Sequence, residues 1–167
     1  MSRSTGKLSL AADVRWTVAA IALVGIIGGA ATDIGPWYFA LVQPAWKPPD
    51  WTFGPAWMLI YVCTGWAGVR AWRRLLLESA RSGFLVACAI NGLLNILWSL
   101  LYFTLRRPDW AFSEGIALWL SIVWVAALIA RVDRLGTWLM VPYLAWVAVA
   151  LALNFETLRL NPDFGAL

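Results

Sequence analysis

Charged residues are missing from five long stretches of this chain, and each stretch is close in length to a membrane-spanning helix. The stretches lie between Arg15 and Asp33, Asp50 and Arg70, Arg81 and Arg106, Glu114 and Arg131, and Arg134 and Glu156. They contain 17, 19, 24, 16 and 21 residues, respectively. Because a spanning helix needs about 20 apolar residues, with roughly 17–25 observed, the pattern predicts five transmembrane helices.

The charge clusters also set the expected boundaries of the domain. We place the helices over residues 16–35, 55–77, 83–105, 110–130 and 136–158, within one transmembrane domain covering 16–161. A basic segment, 1–15, precedes this domain, and a tail, 162–167, follows it. The first apolar run is longer than the roughly 7–15 residues of a signal-peptide core, so we expect it to be retained. The predicted fold class is an all-α membrane protein, a bundle of five transmembrane helices.

The segment between the first two predicted helices, residues 36–55, has a different character from the other connections. Pro44, Pro48, Pro49 and Pro55 lack a backbone N–H and fix φ, so regular helix is not expected there. Irregular backbone near a membrane must be covered by protein or reach water. We therefore predict a structured first loop, rich in proline and tryptophan, that acts as a lid over one mouth of the bundle. The other connections, such as residues 107–109 and 133–136, are expected to be tight.

Composition supports a membrane protein and excludes several kinds of chemistry. The mean hydropathy is +0.72 and only 13% of residues are charged, whereas about a quarter are charged in soluble domains. The chain has 13 tryptophans and no histidine, which makes a metal site or a histidine-based catalytic centre a poor candidate. Cys63 and Cys88 fall within different predicted spans and need no disulfide partner.

The basic residues are distributed unequally between the two predicted sides of the membrane. Nine lie on the side of the N-terminus, and four lie on the other side, namely Lys47, Arg106, Arg107 and Arg159. The positive-inside rule places the N-terminus in the cytoplasm if this multi-pass protein belongs to a bacterial inner membrane. The same asymmetry accounts for the formal net charge of +4 without a nucleic-acid partner.

Helical spacing groups polar and aromatic residues on single faces of three predicted helices. These faces are Trp57 with Tyr61, Asn91 with Asn95, Trp98 and Tyr102, and Tyr143 with Trp146, Ala150 and Asn154. Carboxamides inside a bilayer are costly unless they face the bundle or a ligand. If the three faces converge, they line an aromatic pocket for a small molecule.

Other interpretations of these features remain open. Tryptophans near helix ends commonly anchor a protein at the membrane interface, and Asn91 and Asn95 are equally compatible with bonds between helices, worth about 0.6 kcal/mol on average. The small residues around Gly83, Ala87 and Cys88 predict a face for homodimer packing.

Several blocks of sequence carry a resemblance to a known family. They are Pro44-Ala45-Trp46-Lys47-Pro48-Pro49-Asp50-Trp51, Phe53-Gly54-Pro55-Ala56-Trp57 with Tyr61, Asn95-Ile96-Leu97-Trp98-Ser99 with Tyr102-Phe103, Pro142-Tyr143-Leu144-Ala145-Trp146, and Leu153-Asn154-Phe155 with Arg159. In this order the chain resembles bacterial members of the translocator protein family, also called tryptophan-rich sensory proteins or peripheral-type benzodiazepine receptors. The resemblance implies a homodimeric five-helix bundle whose ligands enter beneath the first loop. It also implies porphyrins, sterol-like molecules and isoquinoline carboxamides as ligand classes.

The resemblance also assigns roles to individual residues. The implied ligand-binding residues are Trp46, Trp57, Tyr61, Asn91, Asn95, Trp98, Phe103 and Trp146, to which the helical face adds Asn154. Two positions depart from the family pattern. Phe155 replaces an aromatic hydroxyl of the family's cholesterol motif, which puts sterol recognition in doubt, and Ser99 replaces a common proline, so the third helix should be straighter.

A metal-free porphyrin such as protoporphyrin IX is the ligand that these residues fit best. Aromatic side chains stack on its flat ring, and Lys47, Arg106 and Arg107 are placed to meet its propionates. No cofactor is required, and haem iron finds few soft ligands in this chain. The expected function is that of a sensor or carrier in tetrapyrrole handling.

Two alternatives come from other functional classes. One is an enzyme that degrades protoporphyrin oxidatively in light, with Trp57 and Trp146 as electron donors. The other is a dimeric membrane scaffold or transport partner. No nucleophile–base pair or carboxylate dyad occurs within the predicted spans, which disfavours hydrolytic chemistry.

Overall fold

The computed structural model describes residues 9–163, and this part of the chain is helical without any β-strand. Its elements, in order, are α1 (Leu10–Ala30), α2 (Pro36–Ala40), a 3₁₀ turn (Asp50–Thr52), α3 (Phe53–Arg74), α4 (Glu78–Ser99), a π-helical turn (Leu100–Thr104), α5 (Pro108–Ala130), α6 (Arg134–Leu139) and α7 (Val141–Leu160). Arg3 and Lys7 of the predicted basic segment, and most of the predicted tail, lie outside the described residues. The all-α fold class is confirmed.

Within residues 9–163, four helical stretches are long and apolar enough to cross a membrane. They are Leu10–Ala30, Glu78–Thr104, Pro108–Ala130 and Arg134–Leu160. Helix α3 has 22 residues but is not among the four, since its tryptophans, glycines and terminal arginines make it less apolar. The protein is therefore a helical membrane protein, and five spans with α3 as the fifth remain a prediction.

Local sequence explains where several helices begin. The Ser9 side chain accepts a hydrogen bond from the Ala12 N–H and caps α1. Pro108 and Pro142 lie in the first turns of α5 and α7, where a missing N–H costs nothing. Residues 134–136 had been predicted as part of a tight loop, but they belong to α6. The interruption between α6 and α7 lies instead at Met140, because Pro142 has no N–H to donate to the Trp138 carbonyl.

The third predicted helix contains a π-helical turn near its C-terminal end. Helix α4 is regular as far as Ser99, but Leu100–Thr104 forms a π-helical turn in which the Leu105 N–H donates to the Leu100 carbonyl at 2.8 Å. Such widened turns bend or rotate a helix locally. Here the widened turn accompanies burial of Tyr102 against Trp37, Tyr38 and Leu41 of the first loop. This packing contact could not be predicted from the presence of Ser99 in place of proline.

Helix α5 forms the centre of the bundle. It buries nine residues, more than any other helix in the described part. Among them, Leu118, Ile122, Val125 and Ile129 pack into the main hydrophobic core with residues of α3, α4 and α7. Helix α1 lies at the periphery, with only Asp13 and Gly28 buried. Gly65 permits its close approach to α3, since a Cβ there would lie 2.9 Å from the Ile21 side chain.

The face that was predicted to form a dimer interface points into the protomer. Ala87 is 0% exposed within the main core, and Cys88 packs against the same core. The prediction of a dimer interface around these two residues is therefore wrong, because helical spacing shows which residues share a face without showing where that face points. Gly83 is exposed, and homodimerisation itself stays a prediction.

The first loop, residues 31–52, packs over the end of the bundle where α4, α5 and α7 meet. Trp37, Tyr38 and Leu41 are buried in a cluster with Tyr102 and Ala111. The side chain of Asn161, at the end of α7, accepts a hydrogen bond from the Val42 N–H at 2.8 Å and donates one to the Val42 carbonyl at 2.9 Å. Aromatic packing and these two hydrogen bonds thus both hold the loop against the bundle.

Ion pairs fasten the opposite end of the bundle. Asp133, after α5, accepts from Arg70 Nε at 2.6 Å and from Arg74 Nη1 at 3.0 Å on α3. The hydrogen bond from Arg70 lowers the pKa of the Asp133 carboxyl below its ordinary value. Asp13 of α1 pairs with Arg73 at 2.7 Å. These contacts tie α1, α3 and the α5–α6 connection together at the end that is rich in basic residues.

Candidate functional site

A cavity that we call the inner cavity lies between α1, α3 and α4, with α5 and α7 closing it. It has a volume of about 420 Å³, which is within the roughly 300–1,000 Å³ of small-molecule sites. Trp57, Tyr61, Trp72, Phe84 and Tyr143 give its wall an aromatic character. The remaining lining side chains are mostly aliphatic, so the cavity is suited to an apolar molecule.

A chain of hydrogen bonds runs from the inner cavity into the bundle. Asn95 Nδ2 donates to the Tyr143 hydroxyl at 3.0 Å, and that hydroxyl donates to Asn91 Oδ1 at 3.4 Å. Asn91 Nδ2 donates to Ser121 Oγ at 2.8 Å, and Ser121 donates to the Leu118 carbonyl at 2.6 Å. The two amides therefore join α4 to α5 and α7 as well as lining the cavity.

An aromatic seam joins α3 to α7 beside the inner cavity. Phe53 meets Trp146 edge to face with ring centroids 5.3 Å apart, and Trp57 meets Tyr143 in the same manner at 6.1 Å. Trp57 also lies 5.6 Å from Tyr61. Trp57 also lines the inner cavity. Trp146 packs against Phe53 in the seam and lines neither the inner cavity nor the second cavity described below.

A second, smaller cavity lies beneath the first loop, and we call it the loop-side cleft. Its volume is about 50 Å³. Trp98 stacks on Tyr102 at 5.2 Å with an interplanar angle of 22°, and Phe103 lies edge-on to Trp98 at 6.0 Å. The Asn154 side chain also lines the cleft; it is 1% exposed, and neither its oxygen nor its nitrogen has a partner among residues 9–163.

The loop contributes a charged group to this cleft. Lys47 Nζ lies 2.6 Å from Asp50 Oδ1 and donates to the Tyr38 hydroxyl at 2.9 Å. The Tyr38 hydroxyl in turn donates to Asp50 at 3.1 Å. The Lys47 ammonium holds the pKa of the Asp50 carboxyl below its ordinary value, while burial raises the pKa of Tyr38. The cleft thus has an aromatic wall, an unpartnered amide and a lysine that is already paired.

Comparison with known proteins identifies the family. The model of the TspO/MBR family matches residues 17–160. The chain belongs to the TspO/MBR family. It is 35% identical to the tryptophan-rich protein TspO of Chlorobaculum tepidum, over 85% of this chain and 93% of that protein. It is 36% identical to the protein CrtK of Rhodobacter capsulatus, over 80% and 84%, and 31% identical to the human translocator protein, over 75% of each chain.

In this TspO/MBR protein the residues that were predicted to share one pocket are divided between two cavities, which have no lining residue in common. The inner cavity receives Trp57, Tyr61, Asn91 and Asn95. The loop-side cleft receives Lys47, Trp98, Phe103 and Asn154. Trp46 is 52% exposed and lines neither cavity.

The two arginines that were predicted to meet propionates lie at the surface beyond the cleft. Arg107 pairs with Asp109, and its Cζ lies 4.0 Å from the centre of the Trp110 ring. Arg106 is exposed, has a φ of 54°, and places its Cζ 6.0 Å from the Trp37 ring. Neither lines either cavity, so Lys47 is the predicted propionate partner that borders the cleft.

The structure also shows site residues that the sequence did not indicate. Tyr38 and Gln43 of the loop line the cleft, and Phe53 closes it from α3. No helical pattern could have found Tyr38 or Gln43, because their positions depend on how the loop folds back over the bundle. Within α5, both carboxyl oxygens of Glu114 are buried without a partner among the described residues.

Proposed function

We propose that this TspO/MBR protein binds porphyrin-type tetrapyrroles in the loop-side cleft and acts as a sensor or carrier in tetrapyrrole handling. The observation that carries the proposal is the amide of Asn154, which is fully buried and has no partner in the described part of the chain. An unsatisfied buried polar group costs about 1–3 kcal/mol. A ligand that bonds to this amide recovers that cost.

The chemistry of the cleft matches a tetrapyrrole that bears two propionic acid groups on one edge. Trp98, Tyr102 and Phe103 supply aromatic surface, and each such contact with a flat ring is worth about 0.5–1.5 kcal/mol beyond area burial. The cleft also offers two groups for the acid edge, the Lys47 ammonium and the Asn154 amide. A carboxylic acid both donates and accepts hydrogen bonds, as a primary amide does.

Binding of so large a ring requires the first loop to move outward, since the cleft holds only about 50 Å³ in this structure. The loop then acts as a lid. Two hydrogen bonds between Asn161 and Val42 hold the loop against the end of α7. Each such bond stabilises the closed position of the loop by only about 0.5–1.5 kcal/mol. Ligand contacts of the size described above are sufficient to offset their loss.

The proposal is tested by quenching of the tryptophan fluorescence of the full chain in lipid nanodiscs by protoporphyrin IX. Asn154→Leu is expected to weaken binding by about tenfold, the effect of one lost hydrogen bond to a buried polar group. Asn91→Leu is the matched control, since it removes an intramembrane amide from the inner cavity only, and it should leave protoporphyrin affinity within about twofold. Equal affinities in all three proteins would refute a site at Asn154.

Charge reversal at Lys47 is expected to discriminate between ligands. In Lys47→Glu, the new carboxylate lies beside Asp50 and repels propionates, so protoporphyrin affinity should fall by about three- to tenfold. The dimethyl ester of protoporphyrin, which carries no charge on that edge, should lose much less. Lys47→Met controls for disturbance of the loop, and matched losses for acid and ester in Lys47→Glu would mean that Lys47 only positions the loop.

A further inference from the structure

Two arginines at the end of the bundle opposite the first loop have no counter-ion within the described part of the chain. Arg131 caps the C-terminal end of α5, and Arg134 is the first residue of α6. Both residues are exposed, and neither has a hydrogen-bond or ion-pair partner among residues 9–163. The ion pairs that hold this end of the bundle together therefore do not account for these two charges.

The carboxylate that lies between the two arginines in sequence is already paired with α3. Arg70 Nε and Nη2 donate to the two carboxyl oxygens of Asp133 at 2.6 and 3.1 Å, and Arg74 Nη1 donates to Asp133 Oδ2 at 3.0 Å. We call Arg70, Arg74, Arg131 and Arg134 the arginine patch. Its four arginines share one aspartate, which leaves a net charge of +3.

The other two described carboxylates at this end of the bundle are engaged elsewhere. Asp13 of α1 pairs with Arg73 at 2.7 Å, and Glu78 of α4 pairs with Arg81 at 3.4 Å. Neither is available to neutralise the arginine patch. Because like charges repel one another at short range, the patch is stabilised by an anion from outside the described chain.

The arginine patch lies at the depth where a membrane has its headgroups. The apolar stretch Pro108–Ala130 ends one residue before Arg131, and the stretch Arg134–Leu160 begins at Arg134 itself. Since a spanning helix leaves the hydrocarbon at its ends, both arginines are placed at the level of the lipid phosphates. Three Cα–Cα steps of about 3.8 Å keep their backbones within about 11 Å of each other, so their long side chains can bind one phosphate group together.

Exposed apolar side chains adjoin these charges. Leu135 and Trp138 of α6 are both exposed, and their spacing of three residues places them on one face of the helix. An exposed indole is typical of the membrane interface, because its ring is apolar on one side and polar on the other. A free phosphate ion offers nothing to these two side chains, whereas a phospholipid carries its phosphate and its acyl chains on one molecule.

We propose that the arginine patch and the exposed face of α6 bind an anionic phospholipid. Its phosphodiester lies between Arg131 and Arg134, and its acyl chains lie along Leu135 and Trp138. Guanidinium groups bind phosphate oxygens through paired hydrogen bonds and always carry their charge. A zwitterionic phospholipid presents the same phosphate together with an ammonium group, which the net positive charge of the patch repels. The site therefore selects lipids with a net negative headgroup, such as phosphatidylglycerol.

Native mass spectrometry of the full chain with equimolar phosphatidylglycerol and phosphatidylcholine tests this selectivity. An arginine at the membrane surface contributes about fivefold to the affinity for anionic lipid, so the native protein should retain phosphatidylglycerol about tenfold or more in preference. In Arg131→Gln/Arg134→Gln that preference should fall by about fivefold or more. The variant is expected to fold, because neither side chain has a partner in the described part and the pairs of Asp133 are untouched.

Arg106→Gln/Arg159→Gln is the matched control, since it removes two exposed arginines and the same charge from the loop-side end. It should keep the native preference.

Thermal unfolding in nanodiscs provides a second measurement, because a lipid that binds the folded state raises the midpoint. The native protein should unfold about 2–4 °C higher in phosphatidylglycerol than in phosphatidylcholine, and Arg131→Gln/Arg134→Gln should show no difference. An undiminished preference in this variant, or an equal loss in the control, overturns the proposal. Equal stabilisation in phosphatidylcholine by soluble glycerol phosphate also overturns it, since a free anion would then be sufficient. Neither cavity is lined by Arg131 or Arg134, so these outcomes leave the tetrapyrrole proposal unaffected.

Discussion

Replacing Trp98 by leucine is expected to weaken protoporphyrin binding by about 1–3 kcal/mol, or roughly 5- to 150-fold in affinity, the scale of losing one aromatic platform beneath a flat ring. Trp98 lines the loop-side cleft and stacks on Tyr102 at 5.2 Å. We expect a tetrapyrrole bound in the cleft to stack on this pair. Trp98→Phe should retain most of the affinity, since a phenyl ring preserves a stacking surface.

Titration of protoporphyrin into nanodisc-embedded protein, followed by fluorescence quenching, measures this effect. Trp138→Leu is the matched control, because Trp138 is an exposed tryptophan that lines neither cavity. It removes one fluorophore without touching the site, so its affinity should equal that of the native protein. If Trp98→Leu and Trp138→Leu bind protoporphyrin equally well, the tetrapyrrole does not occupy the cleft.

Replacing Asp133 by alanine is expected to destabilise the protein strongly. The Asp133 side chain is 5% exposed and receives both Arg70 and Arg74. Without the Asp133 carboxylate, the guanidinium groups of Arg70 and Arg74 lose their shared counter-ion. Deleting one partner of a buried ion pair lowers the free energy of unfolding far more than deleting both, because an uncompensated charge is left behind. The thermal unfolding midpoint in detergent should fall by about 5 °C or more. Glu78→Ala removes an exposed pair with Arg81 and should shift the midpoint by about 1 °C at most.

The same carboxyl predicts a dependence of stability on pH. The pKa of Asp133 is lower in the folded protein than its ordinary value. The ionised carboxylate therefore contributes to the free energy of unfolding at pH values above the unfolded-state pKa, which is about 3.9 for a free aspartate. The contribution is lost as pH falls through the folded-state pKa. Native protein should therefore lose stability below about pH 4 relative to Asp133→Ala. A constant difference between the two midpoints from pH 7 to pH 3 would contradict this linkage.

The sequence by itself determined the class of this protein. Long uncharged stretches can be stable only inside a membrane, where helices satisfy their own backbone hydrogen bonds, and four of the five stretches correspond to helices that meet the requirements for a span. The blocks around Trp46, Trp98 and Trp146 identified the family, as the match over residues 17–160 confirms. Helical periodicity also placed Asn91 and Asn95 correctly on one face, since both line the inner cavity.

Only the tertiary structure decided how these faces are used. Periodicity states which residues lie together on a helix, but the rotation of each helix about its axis is set by packing against its neighbours. Packing of the bundle placed Ala87 in the main hydrophobic core, where helical spacing alone had suggested a dimer face. Folding of the first loop placed Tyr38 beside Lys47 and paired that lysine with Asp50. The aromatic seam of Phe53, Trp57, Tyr143 and Trp146 lies between α3 and α7. Because the ring contacts of this seam fill the space that a single pocket would need, the aromatic and amide residues are divided between two cavities.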